Sequence, residues 1–392
     1  MFPERISNLP AYPFARLRAL LDPHAPGGRA LNMSIGEPAH AFPPWIMRII
    51  QDHSAGFNSY PPNDGTPELR NAISTWIEKR YGVLLHPDKN VIPLNGTREG
   101  LYNAAMALCP ETKAGKQPII LTPNPFYQVY MFAALSVGAK PEFVSATKQT
   151  GFLPDYAGLD TDILDRAALA YICSPANPQG SVADRGYWQD LIYRAEKHDF
   201  RILADECYSE IYRTNPPLGA LQVANEMGAD PERVMVFHSL SKRSNLPGLR
   251  SGFAASGEKA IAQMKKMRAY SGAPLPLPLQ KAAEVVWSDE KHVEENRTLY
   301  VEKFAIAENI FESITEYTSP DAGFFLWLAC HKGEEAALQL WIEDGIRVLP
   351  GRYLSQDVKN QNPGHEYIRV ALVAPKDQIE IGLHKLRNRL YK

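Results

Sequence analysis

The stretch HSLSKRSNLPGLR, residues 238–250, places Ser239 and Ser241 just ahead of Lys242, and Arg250 eight positions after it. Asn245, Pro247 and Gly248 break the chain here, so Lys242 belongs to a tight loop and not to the middle of a long solvated helix. A surface charge cluster needs no such arrangement. Small hydroxyls and an arginine around one amine suit a site that grips a phosphate and keeps the amine within reach. Other walls of that site must come from elsewhere in the chain.

Four further stretches offer them. NGTREGL presents the Gly96–Thr97–Arg98 turn at the start of a helical pattern, where backbone N–H groups can hold an anion. The same NGT turn serves equally as an ordinary helix cap. TPNPFYQVY puts Phe126 and Tyr127 past a strand, as core or as a stacking surface for a flat ring. SPANPQG holds Asn177 ahead of Pro178, out of helical geometry and free to aim an amide into a cleft. ADECYSEIY ends an apolar run with Asp205 and Glu206, with Tyr208 close behind. A carboxylate at the end of a buried strand is costly unless it meets a cation. A phosphate cradle, a stacking aromatic, an acid for a buried cation, a phenol and a lysine able to form a Schiff base are together the needs of pyridoxal 5′-phosphate.

The elements that must position these residues are visible as short apolar runs. They are NVIPLNG (90–96), QPIILTP (117–123), KPEFVSA (140–146), LAYICSP (169–175), FRILADE (200–206), RVMVFHS (233–239) and RSGFAAS (250–256). Amphipathic stretches such as GYWQDLIYRAEKHD lie between them, which is the pattern of βαβ units and a mostly parallel sheet covered on both faces. In such sheets ligands bind beyond the carboxyl ends of the strands, where nearly all the residues above fall. The pattern stops near GAPLPLPLQ (272–280), and a long charged helical region follows. The expected architecture is α/β, with a large cofactor-binding domain over 50–285. Residues 1–49 and 286–392 would form a smaller α+β domain.

With 392 residues, 45% of them hydrophobic, the chain can bury a large core. A net charge of −2 gives no basic excess for nucleic acid or an anionic membrane. The start, MFPERISNLPAYPF, lacks the apolar run of a signal peptide, and no stretch reaches the roughly 20 apolar residues of a membrane span. A cytoplasmic protein is expected. Cys109, Cys173, Cys207 and Cys330 are too scattered for CxxC chemistry, and the ten histidines form no metal-binding pattern, so no metal is expected.

In combination these motifs resemble the class I/II aminotransferases of fold type I. The resemblance runs from SIGEP (34–38) through YPPNDGTPELRNAI, NGTREGL, NPFY, SPANPQG, DECYSEIY and SLSKRSNLPGLRSGF to YIRVAL (367–372). It implies that Lys242 carries the cofactor, Asp205 pairs with the pyridine nitrogen, and Tyr208 and Asn177 contact the ring hydroxyl. It further implies that Tyr127 stacks on the ring, and that Ser239, Ser241, Arg250 and the Gly96–Thr97–Arg98 turn hold the phosphate. Arg369, helped by Asn177 and the backbone of Gly36, would grip the substrate α-carboxylate. Tyr60 matches a tyrosine that reaches the phosphate of a neighbouring subunit, which implies a homodimer. NPQG stands where NPTG is usual, and Tyr127 where many members carry tryptophan.

Longer matches, among them YPFARLRAL, PNPFYQVY, LPGRYLS and IRVALVAP, look like the N-succinyldiaminopimelate aminotransferases of bacterial lysine biosynthesis, although AYSGAPLPLPLQ matches that subgroup less well. The expected reaction moves an amino group between glutamate and N-succinyl-2-amino-6-oxopimelate. Arg243 and the AYPFARLR segment are candidate partners for the remote carboxylates of such a substrate. Alternatives on the same scaffold are an aspartate, alanine or aromatic aminotransferase and a β-lyase. A ligand-sensing regulator is disfavoured by the short segment ahead of SIGEP.

Overall fold

The computed structural model describes residues 2–391. All seven apolar runs form strands of one sheet: β1 (Val91–Leu94), β2 (Ile119–Asn124), β3 (Lys140–Ser145), β4 (Ala167–Cys173), β5 (Arg201–Asp205), β6 (Val234–Ser239) and β7 (Gly252–Ala255). Their order across the sheet is β1-β7-β6-β5-β4-β2-β3. The pairs β2–β3, β2–β4, β4–β5 and β5–β6 are parallel. Only β7 is reversed, lying antiparallel to both β1 and β6. Helices cover both faces, so β2, β4 and β6 are buried along their whole length. The edge strand β3 is the exception, partly exposed and carrying Lys140, Pro141 and Glu142, residues that discourage further strand pairing.

The helix Arg185–Lys197 shows how the layers form. Asp184 caps it by accepting a hydrogen bond from the Tyr187 N–H at 2.8 Å. Trp188, Leu191, Ile192 and Ala195 then recur at helical spacing and are buried against the sheet. Each large side chain so buried contributes about 1.5–3 kcal/mol. The cap contributes about 1 kcal/mol.

A second sheet holds β8 (Phe325–Ala329), β9 (Leu349–Pro350) and β10 (Tyr367–Ala371), all antiparallel, with β10 in the middle. Leu31 and Asn32 pair with Ile346 and Arg347, which brings the segment holding Ser34 and Gly36 to the edge of this unit. The charged helical region is the helix Lys291–Phe311, packed on the final helix Lys376–Leu390. Phe304, Phe311, Phe324, Leu340 and Leu383 form a second core here, and Tyr208 and Ile211 from the main sheet's loops enter it.

Lys303 lies on that long helix and is buried. Its Nζ meets His40 Nε2 at 2.7 Å and the Val373 carbonyl at 3.2 Å. Burial pushes its ammonium down from 10.5 to about 8. Between these values the unfolded chain keeps a proton that the folded chain has released, so stability rises with pH across that window. The wild type is expected to gain on the order of 3 kcal/mol over Lys303→Met between pH 8 and pH 10.5. Urea unfolding of both proteins across this range measures it. Parallel pH profiles would contradict the assignment.

Candidate active site

Strand register brings the chemistry to one edge of the main sheet. Cys173 pairs with Asp205, and Asp205 with Phe237, so the loops after β4, β5 and β6 leave side by side. These loops carry Asn177, Tyr208 and Lys242. Because β7 is reversed, its amino end lies at the same edge, with Gly252 opposite both Ser239 and Leu94. Arg250 is thereby set between the Ser239–Lys242 loop and the Gly96 turn.

That turn is built for close approach. Gly96 has φ 85°, a conformation that favours glycine, and a Cβ there would lie 2.2 Å from Arg250 Nη2. Gly96 caps the helix Thr97–Leu108 without a side-chain bond, leaving first-turn N–H groups available to an anion. Arg250, itself at φ 56°, donates to the Pro247 carbonyl at 2.8 Å and to the Asn95 carbonyl at 3.3 Å. The Ser239 hydroxyl accepts from the Ser241 N–H at 3.1 Å. Thr97, Arg98, Ser239, Ser241 and Arg250 line one side of a cleft of about 400 Å³.

Lys242 lies in the same cleft, on a single helical turn after β6. Its Nζ donates to the Gly36 carbonyl at 2.5 Å. Burial lowers its pKa, and Arg369 and Arg250 lower it further against the opposing pull of Cys207 and Glu37. Asp205 is buried at the cleft floor. Oδ2 accepts from the Tyr130 hydroxyl at 2.8 Å and Oδ1 from the Cys207 N–H at 3.4 Å. Burial raises the Asp205 pKa, the mark of an acid short of a cation. A protonated pyridine nitrogen is such a cation, so the donor set fits pyridoxal 5′-phosphate. Tyr127 lines the cleft at the start of its helix, and its hydroxyl contacts Arg98 Nε. Tyr208 is buried edge-on against Phe324 and Phe325.

Arg369 enters from the second sheet. Nη1 donates to Asn177 Oδ1 at 2.9 Å and Nη2 to the Ser34 carbonyl at 2.7 Å. The guanidinium lies 4.3 Å from the Phe325 ring centroid, and burial lowers its pKa to about 10. Its Nε is buried without a hydrogen-bond partner among the described residues, so the guanidinium is not fully satisfied by the protein. Gly36 lines the cleft opposite, where a Cβ would meet the Phe325 ring at 2.4 Å.

Two residues lie elsewhere. Tyr60 is fully exposed and is not among the residues lining this chain's cleft. Arg243 is not among the residues lining the cleft, contrary to the expectation from its position beside Lys242. One residue on from Lys242, its side chain turns into the helical layer, with its guanidinium 5.0 Å from the Trp287 ring and 2.5 Å from Glu290 Oε1. From AYPFARLR, Tyr12 and Phe14 do line the cleft. Glu37, Tyr130, Cys207 and Phe325 line it too and were not singled out from the sequence. Tyr130 was legible only as the third residue after Tyr127, one helical turn along the same motif.

Residues 29–386 match the family Aminotransferase class I and II. The chain is 30% identical over 399 residues to an LL-diaminopimelate aminotransferase of Dehalococcoides mccartyi, covering 98% of each protein. It superposes on an aminotransferase of Neisseria meningitidis with a TM-score of 0.93 and 36% identity, covering 98% of both chains. Its TM-score against the aminotransferase AspB of Helicobacter pylori is 0.90, at 35% identity over 97% of this chain and 99% of that one. With its mostly parallel sheet and its lysine cleft, the chain belongs to the class I and II aminotransferases of fold type I, enzymes that use pyridoxal 5′-phosphate.

Proposed function

We propose that this cleft transfers the amino group of glutamate to a 2-oxo acid of the diaminopimelate class, with Lys242 as the proton carrier. The observation that carries the chemical part is the convergence of Lys242 Nζ, the buried Asp205 and the partly unpaired Arg369 in one cleft. Bound there, pyridoxal 5′-phosphate supplies the electron sink that makes the substrate α-C–H bond acidic. Ser239, Ser241, Arg250 and the Gly96–Thr97–Arg98 turn would hold its phosphate. Tyr127 would support its ring, Asn177 and Tyr208 would serve the ring hydroxyl, and Asp205 would keep the ring nitrogen protonated.

Arg369 clamps the substrate α-carboxylate, with Asn177 and the Gly36 backbone beside it, and so fixes which α-bond is set to break. Lys242 then takes the α-proton on Nζ and returns it on the product side. Its lowered pKa keeps more of the amine unprotonated near neutral pH than an ordinary lysine would. Tyr60 serves the phosphate of a neighbouring subunit in a homodimer; a monomer by sedimentation would remove that part.

The substrate class rests on two supports. The first is the run of motifs that extends beyond the cofactor signature, above all SLSKRSNLPGLRSGF, and it favours the N-succinylated acid. The second is the likeness along nearly the whole chain to proteins named LL-diaminopimelate aminotransferase, which favours the free diamino acid. Glu37, lining the cleft near Lys242, suits the second reading, since a carboxylate can receive a remote ammonium. Contacts at the far end of either substrate raise the specificity constant because their binding energy positions the reacting carbon.

A panel at equal amino donor tests this. N-succinyl-2-amino-6-oxopimelate or the unacylated oxo acid is expected to exceed oxaloacetate, pyruvate and an aromatic 2-oxo acid in kcat/KM by about tenfold or more. A small or aromatic acid ahead by that margin would remove the diaminopimelate class and leave the aminotransferase assignment standing.

A further inference from the structure

We propose that Tyr130 is a positioning residue for the Asp205 carboxylate, holding it ionised and oriented for the cofactor ring. The proposal rests on the reading that Asp205 meets the ring nitrogen. Tyr130 lies on the first turn of the helix Gln128–Ser136, three residues after Tyr127, and is buried. Its hydroxyl donates to Asp205 Oδ2 at 2.8 Å.

The hydroxyl has little freedom. The Tyr130 ring stacks on Tyr171 of the interior strand β4, with centroids 4.5 Å apart and planes at 14°. Tyr171 is fixed in turn by the pairing of β4 with β5, and its own hydroxyl donates away to the Leu101 carbonyl at 2.7 Å. The Tyr156 hydroxyl bonds the Tyr171 carbonyl. The helix after β2 and the floor of the sheet thus aim one phenol at one carboxylate oxygen. Burial, and then Asp205 itself, raise the Tyr130 pKa, so the phenol remains a donor.

The titratable groups that interact with Asp205 are Tyr127 and Tyr130 from the helix side, Cys173 from β4, Cys207 and Tyr208 beyond β5, and His238 from β6; Lys242 lines the same cleft. Burial favours the protonated acid, and the Tyr130 hydrogen bond opposes it. Without that bond, Asp205 in the empty site holds its proton to higher pH. A cationic ring nitrogen binds the carboxylate and not the acid, so cofactor affinity should then fall as pH drops.

Tyr130→Phe keeps the stack and removes only the donor. Titrating cofactor into apoprotein across pH 5.5–8.5 reads the effect by fluorescence. Relative to wild type, the Tyr130→Phe dissociation constant is expected to rise by about tenfold at the acid end and much less at the alkaline end, as for loss of a bond to a charged acceptor. Tyr171→Phe loses a buried hydroxyl that bonds Leu101 instead, and its profile should overlay the wild type. A Tyr130→Phe profile parallel to wild type, or one matched by Tyr171→Phe, would overturn the proposal. Asp205→Asn separates the two readings. If it leaves cofactor affinity and the half-reaction unchanged, the Asp205 reading fails. If it lowers them while Tyr130→Phe stays parallel to wild type, only the Tyr130 role fails.

Discussion

Lys242→Ala is expected to lower the rate of the amino-donor half-reaction by about 10⁴-fold or more, because one substitution removes both the covalent attachment and the proton carrier. Cofactor binding should survive in weakened form. The phosphate cradle of Ser239, Ser241, Arg250 and the Gly96 turn does not depend on the Lys242 amine, and neither does Asp205. The protein should therefore still take up cofactor, which dialysis will remove more easily than from wild type. Absorbance after mixing with glutamate measures the chemistry, and equilibrium dialysis measures the binding. Turnover at the wild-type rate would show that another base serves the α-carbon.

Asp205→Ala has the next largest expected effect. Its carboxylate is buried, and burial has raised its pKa, so folding has already spent energy on an acid without a cation. Such an arrangement is useful where charge develops during reaction. Loss of one preorganised electrostatic group costs on the order of 2.7–4 kcal/mol, or about 10²–10³ in rate. Single-turnover kinetics with saturating cofactor isolate this from binding. A fall of less than tenfold would leave Asp205 a structural acid only.

The strands were legible because burial on both faces writes itself as continuous apolar runs, and all seven appear in one sheet. The direction of β7 was not. RSGFAAS has the same pattern read either way, and only pairing with β1 and β6 reveals its reversal. That reversal delivers Arg250 to the cleft edge. Side-chain direction was harder still. Lys242 and Arg243 are neighbours in sequence, yet one faces the cleft and the other packs between Trp76 and Trp287. Periodicity over a single helical turn cannot separate them. Tyr130 was hidden for a related reason: an aromatic in an apolar helix reads as core, and its polar end matters only once β5 places Asp205 beside it.

The central claim is that Lys242 is the residue that binds the cofactor covalently. Borohydride reduction of the loaded protein fixes a lysine–aldehyde linkage permanently, and peptide mass spectrometry then locates it. A cofactor-sized mass increase on the peptide containing Lys242, absent from Lys242→Ala, is the expected result. The increase on a different lysine, or its persistence in Lys242→Ala, would contradict the account.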